Sequence, residues 1–74
     1  MSHEKLVHMA NQIAVFFESK PHDEGVEGIA AHINAFWEPR MRRQLFELVD
    51  AGCVGFRPLL REATATIRRP VEVD

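Results

Sequence analysis

Two runs of apolar residues with identical spacing, twenty positions apart, constrain this chain more than any other feature. Leu6, Met9, Ala10, Ile13, Phe16 and Phe17 stand at offsets 0, 3, 4, 7, 10 and 11, and Val26, Ile29, Ala30, Ile33, Phe36 and Trp37 repeat those offsets. Steps of three and four place side chains on one face of an α-helix, whereas a half-buried strand would alternate with period two. The chain therefore begins with two amphipathic helices. A further shift of twenty puts Asp50 and Arg57 on the stripe, so there is no third copy and no solenoid.

The helix boundaries are written in the punctuation. Ser2 is placed to cap the first helix, which is expected to end near Lys20, because Pro21 cannot continue it without losing a backbone hydrogen bond. His22-Asp23-Glu24-Gly25 reads as a loop and a new start, with Asp23 or His22 near the cap. Two such helices joined by a short loop predict an antiparallel hairpin. Gly28, inside the second helix, costs up to about 1 kcal/mol relative to alanine, a sign of close packing or simply of marginal stability. Pro39 reads as the first residue of a third helix with Met41, Leu45, Leu48 and Val49 facing inward, and Gly52 as its stop, with Gly55 in the following turn. A short fourth helix is expected from Pro58, with Leu59, Leu60, Ala63 and Ile67 as its apolar positions and Pro70 as its end. The expected fold is all-α: a small helical bundle of three main helices plus a short C-terminal helix. It forms a single domain over residues 1–69, followed by a flexible C-terminal tail over 70–74. Leu6, Met9, Ile13, Phe16, Ile29, Ile33, Leu45 and Leu48 are expected to share one core.

Composition matters here because a chain of 74 residues buries only about 60% of the surface its unfolded form exposes. Cys53 is the only cysteine, so neither a disulfide nor a cysteine-based zinc site can staple the core, and a bound partner is the remaining staple. The start Met1-Ser2-His3-Glu4-Lys5 and the interrupted apolar runs fit neither a secretory segment nor a membrane span, which places the chain in the cytoplasm. Nine basic against eleven acidic residues give a net charge of −2, the wrong balance for binding a phosphate backbone.

The inventory of reactive groups is thin. His3 and His8 are five apart, so on a helix their imidazoles diverge and cannot share a metal as residues four apart can; His22 falls in the loop and His32 beside the second stripe. Cys53 has no helix N-terminus or fixed cation to activate it and reads as a small buried or half-buried residue. With no phosphate loop, nucleophile motif or enclosed carboxylate pair, no catalytic, cofactor-binding or metal residue is expected, and the reading is of a protein that is not an enzyme. The strongest charged feature is Arg40, Arg42 and Arg43, with Arg42 in reach of Glu38 if one helix holds both. These arginines form either a solvated face or, beside Trp37 and Met41, an interaction surface.

Three runs carry a family resemblance: residues 5–17 (KLVHMANQIAVFF), residues 31–42 (AHINAFWEPRMR) and residues 58–63 (PLLREA). Together they resemble the delta subunit of soluble NAD-dependent formate dehydrogenases, over roughly Lys5 to Ile67, and the Phe-Trp-x-Pro-Arg-Met-Arg string is not one that helical periodicity alone would generate. The resemblance implies a bacterial cytoplasmic complex whose catalytic alpha subunit carries a molybdenum or tungsten pterin site and iron–sulfur clusters, while beta and gamma subunits pass electrons to flavin and NAD. The delta subunit would hold no cofactor, bind the alpha subunit and support assembly or stability of the complex. It brings no catalytic residue, only a contact surface: Asn11 and Gln12 on the first helix, and Phe36, Trp37, Pro39, Arg40, Met41 and Arg42 at the second junction. Phe36 and Trp37 also end an apolar stripe and fit a core equally well. Two alternatives differ in class. One is a nucleic-acid-binding domain whose basic face extends from Arg40, Arg42 and Arg43 to Arg57, Arg61, Arg68 and Arg69; the other is a free-standing homo-oligomeric interaction domain.

Overall fold

The computed structural model describes residues 2–70. Among them there are four helices and no strand: α1 (His3–Phe17), α2 (His22–Phe36), α3 (Pro39–Asp50) and α4 (Pro58–Ala63). The flexible tail expected at 70–74 falls, beyond Pro70, outside the described residues.

Local chemistry sets most of the ends. The Ser2 hydroxyl accepts from the Lys5 N–H at 3.2 Å, satisfying one of the donors orphaned at the start of α1. Pro39 and Pro58 are the first residues of α3 and α4, where a missing N–H costs nothing. α1 ends at Phe17, short of the expected Lys20, and α2 begins at His22, so His22-Asp23-Glu24-Gly25 is its first turn and not a loop; the cap residue is Pro21, no side chain caps it, and Asp23 and Glu24 face the positive end of the helix dipole. α3 stops where Gly52 (φ +108°) and Cys53 (φ +57°) turn left-handed. Their N–H groups return to the Val49 and Leu48 carbonyls, which would otherwise lack donors. Cys53 is half-buried, with its thiol directed at the Val49 carbonyl.

α1 is the hub. It packs against α2, α3 and α4, and α4 also packs against α2, giving a body of 40 × 21 × 19 Å. α1 and α2 run antiparallel: Phe17, at the end of α1, lies against Gly25 and Gly28 in the first turns of α2, while Met9 and Trp37 line one groove further along. Gly28 is there for packing, since a Cβ at this position would run into the Phe17 ring. Leu6, Ile29, Ile33, Leu45 and Leu60 are fully enclosed, and Ala10, Ala14, Ala30 and Ala63 let the helices approach around them.

Four of the eight expected core residues (Leu6, Ile29, Ile33 and Leu45) are thus fully buried, and Met9, Ile13 and Leu48 are partly buried against them. Phe16 is not core: 64% of it is exposed. The centre of the buried face of α1 runs through Leu6, Ala10 and Ala14, and two residues past Ala14 a helix has turned by roughly 200°. Phe46 and Phe56, absent from the expected list, are buried. The Arg69 guanidinium covers Phe46 at 4.3 Å from the ring centroid, and Phe56 folds inward from the loop before α4.

Candidate interaction surface

The eight residues carried by the resemblance fall into two groups. Asn11, Trp37 and Arg42 are engaged in holding the chain together. The Asn11 amide donates to the Gly55 carbonyl at 2.9 Å and its carbonyl oxygen accepts from the Arg57 N–H at 3.0 Å, so one side chain clamps the loop that leads into α4. Trp37 is 6% exposed and closes the end of the core. The Arg42 main-chain N–H donates to the carbonyl of Glu38, the cap residue of α3, at 3.0 Å, but its side chain goes elsewhere: Nη1 donates to the Arg68 carbonyl at 2.8 Å, while Nε is enclosed without a partner. Met41 is half-buried against the core. Gln12, Phe36, Pro39 and Arg40 face outward, and Phe36 is 74% exposed with its ring tilted over His32 at 4.9 Å.

Asn34 escaped the sequence reading although it repeats what Asn11 does. Its amide donates to the Thr66 carbonyl at 3.4 Å and its oxygen accepts from the Arg68 N–H at 2.8 Å, pinning the segment after α4. The available signal was weak: an asparagine in mid-helix, a poor helix former unless its amide finds other work.

Between α1 and α2 the outer surface forms an open groove of about 510 Å³, lined by Met9, Gln12, Ile13, Phe16, Phe17, His32 and Trp37. A second depression of about 580 Å³ lies across the Phe16 ridge, lined by His8, Asn11, Gln12, Val15, Phe16 and Arg57. Val15, at 53% exposure, and Phe36 flank this surface with further apolar area. Lys20 sets its ammonium 5.8 Å from the centroid of the Phe16 ring. No carboxylate lines either depression.

Several charges are consumed internally. Arg57 grips Glu18 through two hydrogen bonds, one of them 2.9 Å long, which hold the Glu18 carboxyl below its ordinary range and raise the guanidinium. Arg69 does the same to Asp50, with its closer contact at 2.8 Å. His3 stands 3.5 Å from Glu47 and His22 stands 3.1 Å from Glu62, each near one carboxylate. No group of three or more metal-ligating side chains occurs among the described residues. No described helix is long and apolar enough to cross a membrane.

Fold and surface together define a small all-α protein with an apolar groove on its outer face. Residues 5–64 match the NADH-dependent formate dehydrogenase delta subunit family, FdsD, and the chain belongs to that family. It is thus a delta subunit of an NAD-linked formate dehydrogenase, an accessory component of an oxidoreductase complex. No curated protein and no solved structure matches the chain.

Proposed function

We propose that this delta subunit performs no catalysis itself, docks on the catalytic alpha subunit of a cytoplasmic formate dehydrogenase, and supports assembly or stability of a complex that also holds beta and gamma subunits. The alpha subunit would carry the molybdenum or tungsten site; this chain is assigned no cofactor. The observation that carries the reading is the family match over residues 5–64. The geometry supports it in two ways. A domain with five fully enclosed large side chains leaves Val15, Phe16 and Phe36 largely in water, a cost that a partner can remove. Its arginines speak for a protein partner over nucleic acid, since Arg57 and Arg69 are neutralised by Glu18 and Asp50, and Arg42 is bound to a main-chain carbonyl.

On this reading Gln12, Phe36, Pro39 and Arg40 touch the alpha subunit, while Asn11, Trp37, Met41 and Arg42 shape the surface from behind. Arg40→Ala tests it, because Arg40 is exposed at the start of α3 and its loss leaves the bundle intact. The variant is expected to keep the helicity and melting of the wild-type subunit, while co-purifying less alpha subunit and giving less formate dehydrogenase activity in cells. Loss of a central interface anchor lowers affinity roughly thirtyfold, and a rim charge much less. An Arg40→Ala complex of full yield and activity would move the docking surface away from the junction.

A further inference from the structure

The feature that neither the bundle nor the family match explains is the Phe16 ridge with a depression on each side. Phe16 belongs by sequence to the α1 stripe, yet the fold turns it outward. It stands between the groove lined by Met9, Ile13 and Trp37 and the depression lined by Val15. From His8 to Phe17, the last residue of α1, this surface follows the helix for about 14 Å at 1.5 Å per residue, between two and three helical turns, and Lys20 extends it just beyond. A groove between two packed helices, with a ridge beside it, is the shape into which a third helix sets its own side-chain rows.

The charge around the ridge discriminates between occupants. Neither depression is lined by a carboxylate, and the ionisable groups facing them are His8, His32 and Arg57, with Lys20 at the end of the ridge. The carboxylate nearest in the chain, Glu18, is held by Arg57. A second copy docked by a two-fold axis would set this surface against itself, apolar on apolar, and would bring no carboxylate from either depression to pair with Lys20. A different chain can bring the missing sign.

Building on the docking role proposed above, we infer that the α1/α2 groove receives an amphipathic helix of the alpha subunit, about two to three turns long. Its bulky apolar side chains straddle Phe16, and an aspartate or glutamate on its flank meets Lys20. The apolar part supplies affinity, and the Lys20 contact fixes which way the helix runs.

The test uses the full-length subunit and purified alpha subunit, with affinity measured by titration calorimetry and the isolated variants checked by circular dichroism and melting. Because Phe16 is largely exposed, its substitution leaves the bundle folded. Phe16→Glu is expected to weaken binding roughly thirtyfold or more, Phe16→Leu to keep it within about threefold, and Lys20→Glu to lose about three- to tenfold, an effect that fades as salt is raised. A folded Phe16→Glu variant that binds as wild type overturns the groove while leaving the docking role standing. Wild-type subunit that does not bind alpha overturns the docking role and the groove with it. Sedimentation showing a wild-type dimer that Phe16→Glu dissolves, with alpha binding unchanged, overturns the inference in favour of a second copy.

Discussion

The inner and outer faces of the α1/α2 hairpin are built from the same kinds of residue and meet opposite fates. Leu6, Ala10, Ile29 and Ile33 are enclosed, while Phe16 and Phe36, which hold the same offset in their two stripes, remain 64% and 74% exposed. Their neighbours Phe17 and Trp37, one position on, turn back towards the body and pack. A six-residue stripe covers a wider arc of a helix than its neighbours can cover in so small a bundle. α1 is packed by α2, α3 and α4 on one side, and no described helix covers Val15 or Phe16 on the other. Hydrophobicity on a helix thus announces that a face will be covered, but not by which chain.

The widest separation between the two faces is expected in stability. Ile33→Ala opens a cavity at a fully enclosed position and should cost about 2–5 kcal/mol, enough to unfold much of a domain of ordinary marginal stability. Phe16→Ala removes a larger side chain and should cost less than about 1 kcal/mol in the isolated subunit, with the half-buried Ile13→Ala in between. Urea titrations of the three variants measure this directly, and equal costs would erase the distinction between the faces.

The next effect sharpens the boundary where the hairpin closes. Alanine is a better helix former than glycine by about 1 kcal/mol, so an open site would make Gly28→Ala stabilising. Here the new Cβ would strike the Phe17 ring, and a net loss of about 1–3 kcal/mol is expected as Phe17 is pushed out towards the groove. A raised melting temperature for Gly28→Ala would show that Phe17 has room to move.

The smallest effect lies at the charged margin. The hydrogen bonds from Arg57 hold Glu18 below the ordinary carboxylate range, so the stability this pair contributes is complete above that range and is lost as pH falls through the lowered folded-state value. The melting temperature of the wild type should therefore exceed that of Glu18→Gln by a small margin at pH 7. The margin should be unchanged at pH 6 and should close only under strongly acidic conditions; the pair is solvent-exposed and correspondingly weak. A margin that closes between pH 7 and 6 would point to a histidine instead.

The helices themselves were legible because their causes are local. Pro21, Pro39 and Pro58 act on their own backbone, Ser2 caps three residues ahead, Gly52 turns the chain it sits in, and apolar spacing reveals each inward face within a few turns. The three runs in residues 5–17, 31–42 and 58–63 were enough to suggest the family, because a run of side chains in order carries more than helical periodicity, which many unrelated sequences satisfy. What those residues do was another matter. Whether Asn11 and Arg42 face a partner or their own chain depends on groups 26 to 46 residues away, and Asn34 is settled in the same manner by the segment after α4. Phe46 and Phe56 are buried because Arg69 and a loop arrive from elsewhere, and Phe16 is exposed because no helix of this small bundle reaches it. Periodicity assigns a residue to a face; only the packing of distant segments decides whether that face is filled from within or left for another molecule.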